Sequence, residues 1–156
     1  MTLFDLAQRF VGEVRELPGI QQEPFIQWCF TKCGYGPDTP DEIPWCSAIL
    51  NGWCWLLRLP RSKSSAARSW LTVGQAMSIE QARVGYDIVI LRQEKNDPGP
   101  DVLKARGHVG LFAGREVSAG GHQYVLVLGG NQADAVSVVR FPEELVLGVR
   151  RLSNSV

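Results

Sequence analysis

A cysteine becomes a nucleophile when its thiol can lose a proton and a neighbouring base can take it. Cys46 stands in DEIPWCSAILNGWCWLL, residues 41–57, where a loop dense in Gly, Pro and Asp gives way to an apolar stripe. Residues 46, 49, 50, 53, 54 and 57 are Cys, Ile, Leu, Trp, Cys and Leu, the spacing of a buried helix face. Cys46 therefore falls in the first turn of the expected helix, where unpaired backbone N–H groups favour an anion and can also hold an oxyanion. Cys54 lies two turns deeper, and Cys29 and Cys33 sit one turn apart on another apolar stripe; these three read as small core hydrophobes.

A nucleophilic thiol needs a base, and the chain holds two histidines. His108 opens a strand-like run, RGHVGLF, between two glycines that permit close approach of backbone or ligand. It is either a base or a satisfied structural histidine. His122, in SAGGHQY, reads as an exposed turn residue. The imidazole in turn needs an orienting acceptor. Asn131, in LGGNQAD, lies at the end of the strand expected beside that of His108; Gly-Gly-Asn is equally ordinary turn chemistry. Gln132 and Asp134 are assigned capping or turn roles. The cysteine spacings lack the tight C-x2-C pair of structural zinc sites, so neither a metal nor any other cofactor is expected.

The elements that must bring these residues together follow from pattern. Residues 3–15 and 22–33 carry helical apolar spacing, 45–58 is the nucleophile helix, and a short helix ends near Leu71, with Ser64 or Ser65 as its cap. Beyond Gly85 the pattern changes to short β-branched and aromatic runs at 86–91, 108–114, 122–130, 135–141 and 145–152, read as an antiparallel meander. Residues 93–106 are a polar loop. Helices followed by strands mean an α+β fold, with N-terminal helices packed on an antiparallel sheet of about five strands in one domain, residues 1–156.

The totals exclude several classes. With 16 basic and 16 acidic residues there is no basic face suited to nucleic acid. No apolar run has the length of a membrane span. The amino terminus is interrupted by Asp5, Arg9 and Glu13 and does not read as a signal peptide, so the chain is expected to be made in the cytoplasm. A monomer is expected.

Taken in order, EIPWCSAILNGW, SSAARSWLTVG, GYDIVIL, GHVGLFAG and VLGGNQADAVSV resemble the CHAP and NlpC-type cysteine hydrolases, in a phage and bacterial branch. The resemblance runs from about Leu17 to Val139. It implies a papain-like fold and cleavage of an amide bond in the stem peptide of bacterial peptidoglycan, by an N-acetylmuramoyl-L-alanine amidase or an endopeptidase. It maps Cys46 to the nucleophile, His108 to the base and Asn131 to the orienting residue. Trp45, Arg68 and Trp70 belong to the shared pattern. The tryptophans read first as packing around the helix, and all three are carried as candidate substrate contacts, Arg68 as a ligand for a carboxylate. Many CHAP enzymes carry Glu two positions before the Asn, where this chain has Gly129, and Tyr86 precedes the expected Asp87. An enzyme of this kind reaches the periplasmic wall through a phage holin, as an endolysin, or through a secretion system, as an antibacterial effector with a cognate immunity protein. The other readings are a non-catalytic wall-binding or phage structural module, and a cysteine hydrolase of small cytoplasmic amides.

Overall fold

In the computed structural model, which describes residues 1–152, three helices pack against a six-stranded antiparallel open sheet. The helices are α1 (Leu3–Gln8), α2 (Pro24–Thr31) and α3 (Cys46–Leu56). The strands are β1 (Gln75–Met77), β2 (Asp87–Leu91), β3 (His108–Val117), β4 (Gln123–Gln132), β5 (Ala135–Pro142) and β6 (Val146–Arg151).

The helices are shorter than the apolar spacing predicts. A capping box starts α1, Thr2 accepting from the Asp5 N–H while the Asp5 carboxylate accepts from Thr2 N–H. The helix stops at Gln8 because the chain beyond it pairs with the sheet. Gly12 adopts φ +79°, and Val14 O accepts from Val136 N–H at 2.9 Å. Tertiary pairing outweighs the helical pattern of residues 9–15. The start of α2 is set by Pro24 in its first turn, with the Glu23 carboxylate capping Ile26 N–H at 2.8 Å. The short helix expected before Leu71 is a 3-10 helix over Ala67–Thr72; Ser64 Oγ accepts the Ala66 N–H just ahead of it.

Strands β2 to β5 form the expected meander, but β6 does not extend it. The sheet order is β1-β6-β2-β3-β4-β5, so β6 returns to the far side of β2. A partly buried ion pair fixes that return: Arg151 donates to both oxygens of Asp87, at 2.8 and 2.7 Å, and these two residues are register partners. The sixth strand, β1, is three residues long and pairs with β6 at the sheet edge.

All five residues of β2 are buried because both sheet faces are covered. Ile88 and Ile90 join the core beneath the helices with Ile49, Trp53 and Leu128. Val89 and Leu91 join a smaller cluster on the opposite face with Phe112, Val125 and Val127. Close packing of helix on helix and helix on sheet uses glycine: a β-carbon on Gly52 would strike the Cys29 sulfur, and one on Gly130 would stand 2.5 Å from the Trp45 ring. Among the described residues no helix is long and apolar enough to cross a membrane.

Candidate active site

Cys46 is the first residue of α3, preceded by Trp45 with no side-chain cap. The first backbone N–H groups of the helix are therefore free of competing side-chain acceptors. Cys46 is 5% exposed. Its sulfur lies within reach of the backbone N–H groups of Val109, Ser47 and Cys46 itself, all of which favour the thiolate. Burial is nevertheless the largest influence and pushes the thiol above its ordinary value. The sequence argument expects the opposite direction; it counts the helix terminus but not the desolvation of a sulfur enclosed between α3 and β3.

Val109, at the start of β3, is the residue after His108. A groove of roughly 420 Å³ is lined by Cys46, Pro44, Gly107 and His108 and, from the β4–β5 end, by Asn131, Gln132, Val139 and Phe141, with Arg92 and Gln93 at its rim. Cys46, His108 and Asn131 thus share one groove. Phe141 packs against the imidazole, with ring centroids 5.4 Å apart.

The imidazole's partner is Gln132, not Asn131. His108 Nε2 and Gln132 Oε1 are 2.8 Å apart. The Gln132 amide nitrogen donates to Val127 O at 3.2 Å and Ser137 O at 2.7 Å, which uses both its hydrogens. The amide cannot be reversed without facing nitrogen toward nitrogen and oxygen toward carbonyls, so Oε1 must accept from Nε2–H. Neutral His108 therefore carries its proton on Nε2 and leaves Nδ1 as the free acceptor. Burial lowers the His108 pKa, and the bond from Gln132 raises it by less.

Asn131 lines the groove in a left-handed conformation, φ +57°, and its side chain makes no hydrogen bond to the ring. The reason is a bulge. Gly129 pairs with Ser137, and on an unbroken ladder Ala135 would meet residue 131; it pairs instead with Gln132. The extra residue carries Gln132 into the place that a regular strand gives Asn131.

The other candidates stand behind the groove. Arg68 is fully buried. Its guanidinium donates to four backbone carbonyls of the 93–106 loop: Arg106 O at 2.9 Å, Gly99 O at 2.8 Å, Val102 O at 2.9 Å and Pro98 O at 2.8 Å. It organises that loop and does not face a ligand. Trp45 and Trp70 are also fully buried. Trp45 Nε1 donates to Glu16 at 2.9 Å, and Trp70 Nε1 donates to Ser47 Oγ at 2.8 Å. Ser47 Oγ donates onward to Ser64 O, and Asn51 Oδ1 accepts from Lys63 N–H at 2.8 Å. This network fastens α3 to residues 62–70. His122 is exposed in the β3–β4 turn.

Comparison with protein-family models, with curated proteins and with solved structures returns no match. The arrangement's chemistry is that of a thiol and a tautomer-fixed imidazole in one groove, beside a helix terminus rich in N–H donors.

Proposed function

We propose that the chain is a papain-like cysteine hydrolase that cleaves an amide bond of the peptidoglycan stem peptide. The observation that carries the reading is the hydrogen bond His108 Nε2–H donates to Gln132 Oε1, which leaves Nδ1 as the base in the groove that Cys46 opens onto. The family resemblance of the motifs supplies the substrate class.

In this reading the resting pair is neutral thiol and neutral imidazole, in keeping with a thiol pushed up and an imidazole pushed down. His108 Nδ1 takes the Cys46 proton as sulfur attacks the carbonyl carbon. The tetrahedral oxyanion forms over the amino end of α3, where the Cys46 N–H can donate; one such donor is typically worth about a hundred- to a thousandfold in rate. The imidazolium then gives its proton to the departing amine, leaving an acyl-thioester. Water, losing a proton to His108, releases the acid and restores the thiol. Gln132 holds the ring and its tautomer throughout. Being neutral, it offers the imidazolium a dipole and no counter-charge.

Digestion of purified peptidoglycan, with new termini identified by mass spectrometry, tests this. The expected result is one new amine terminus at a single stem position, absent with Cys46→Ala. Turnover retained by Cys46→Ala removes the cysteine mechanism. Intact wall together with turnover of small amides moves the substrate class to small molecules; intact wall held in a pull-down leaves a binding module.

A further inference from the structure

We infer that Arg92 is the receptor for a free carboxylate on the substrate, so that the groove selects acidic peptides over their amidated forms. This rests on the hydrolase reading and names the substrate feature the site would choose.

Arg92 follows the last residue of β2, whose Leu91 pairs with His108 across the ladder, and it lines the same groove as Cys46 and His108. Its backbone N–H is fixed to Leu145 O at 2.8 Å. Its side chain is positioned by neutral groups alone: Nε donates to Asp97 O at 3.0 Å and Nη1 to Glu144 O at 3.4 Å. Among the described residues Nη2 has no hydrogen-bond partner and no carboxylate lies within ion-pair distance of the guanidinium. A half-buried arginine held by two carbonyls, with one face of its fork free, is preorganised for a planar anion.

The surrounding charges point the same way. Asp97 and Glu94 are both committed to Arg106, at 2.9 and 3.1 Å, and the Glu144 carboxylate pairs with Lys95 at 3.5 Å. Arg68, behind the groove, donates to backbone carbonyls and takes up none of these carboxylates in an ion pair. The carboxylates nearest Arg92 in the chain are thus each committed to another cation, and Arg92 is left without one. A substrate carboxylate would pair with the guanidinium that these carboxylates leave without a partner. Acidic residues and free carboxyl termini of a stem peptide carry that group; amidation replaces it with a neutral carboxamide that cannot.

The test uses pairs of stem-peptide substrates identical except that one carboxylate, at each acidic position in turn, is replaced by its carboxamide. For one position the intact protein should favour the carboxylate by roughly 10- to 100-fold in kcat/KM, chiefly through KM, as for a hydrogen-bonded ion pair. Arg92→Gln should erase that preference, and Arg92→Lys should restore only part of it. Equal rates on every pair, or a preference that survives Arg92→Gln with the thermal midpoint unchanged, overturns the proposal while leaving hydrolysis standing. Binding of the same peptides to Cys46→Ala is titrated in parallel. Carboxylate-selective binding lost in Cys46→Ala/Arg92→Gln, without turnover by the intact protein, keeps the subsite and removes the hydrolase. Neither binding nor turnover removes both.

Discussion

The carboxamide of Gln132 occupies the space that a side chain on Gly129 would need. Its Oε1 stands 2.9 Å from where a Gly129 β-carbon would lie, and 2.8 Å from His108 Nε2. One position is empty so that the residue three places on can reach the imidazole. The chain thus brings a neutral amide to the ring from Gln132.

Substitutions at Gln132 and Asn131 should therefore behave differently. Gln132→Ala frees both the ring and its tautomer and should lower kcat on the order of a hundredfold, the lower range of what a positioned base supplies. Asn131→Gly removes the side chain while keeping a residue at ease at φ +57°, and should stay within about threefold of the parent. Steady-state kinetics on wall peptides read both. Nitrogen NMR of the imidazole should show the Nε2–H tautomer in the parent and a mixture in Gln132→Ala.

Gly129→Ala tests the same geometry by crowding. The added methyl meets the Gln132 carboxamide and, at 3.4 Å, Val109 O. The carboxamide is the softer neighbour and should shift off the ring. Activity is expected to drop about tenfold or more, with a stability loss of only about 1 kcal/mol, within the range of mild overpacking. A denaturant melt and a kinetic assay on one preparation separate the two effects. Full activity would show that the Gln132–His108 bond tolerates displacement.

These relationships mark the limit of what the sequence reveals. Helix α3 is legible because its apolar stripe is long, unbroken and bounded by a proline-rich loop. The groove partners Cys46 and His108 are legible through residue type and flanking glycines. Gln132 is not, because strand alternation and simple register both place Asn131 opposite His108. Only the bulge advances Gln132, and Gly-Gly-Asn signals a turn without stating which residue it delivers to the ring. The return of β6 to β2 depends on Asp87 meeting Arg151, 64 residues away, which local pattern cannot convey. Strand β1 is three residues, two of them exposed, too short to show alternation. Arg68 looks like a ligand for an anion from its type; its four carbonyl partners lie in a loop with no periodicity to place it.

Arg68 should act on stability and loop order. Arg68→Lys keeps the charge but cannot reach four carbonyls from one ammonium. The expected loss is about 2–4 kcal/mol, from hydrogen bonds to a charged group. Hydrogen exchange should quicken at residues 97–107, where the carbonyl partners lie. KM for a wall peptide should change less than the melting behaviour does. A large KM effect with an unchanged melt would return Arg68 to the substrate-contact role.

The pH dependence follows from the two opposed shifts. His108 accepts a proton only when neutral, and burial holds its pKa below the ordinary 6.5, so the acid limb of activity should lie below that value. The Cys46 thiol is held above 9.0, and beyond its pKa a thiolate faces a neutral imidazole that has no proton for the leaving amine. The alkaline limb should therefore lie above 9.0, and the bell should be wide, its limbs belonging to the coupled pair. At neutral pH the difference spectrum between the parent and Cys46→Ala should show no thiolate band; a strong band there would establish an ion pair at rest. Folding moves with the same groups. As pH falls below 6.5, the unfolded chain takes up a proton that native His108 resists, and stability declines until the native pKa is passed. As pH rises above 9.0, the unfolded chain releases protons that buried Cys29, Cys46 and Cys54 retain. Stability then declines by about 1.4 kcal/mol per pH unit for each such thiol. Denaturant melts across the range fix the window in which the kinetic limbs report chemistry, and an acid limb above 6.5 inside that window would mean that His108 is charged more readily than its buried setting and neutral Gln132 partner allow.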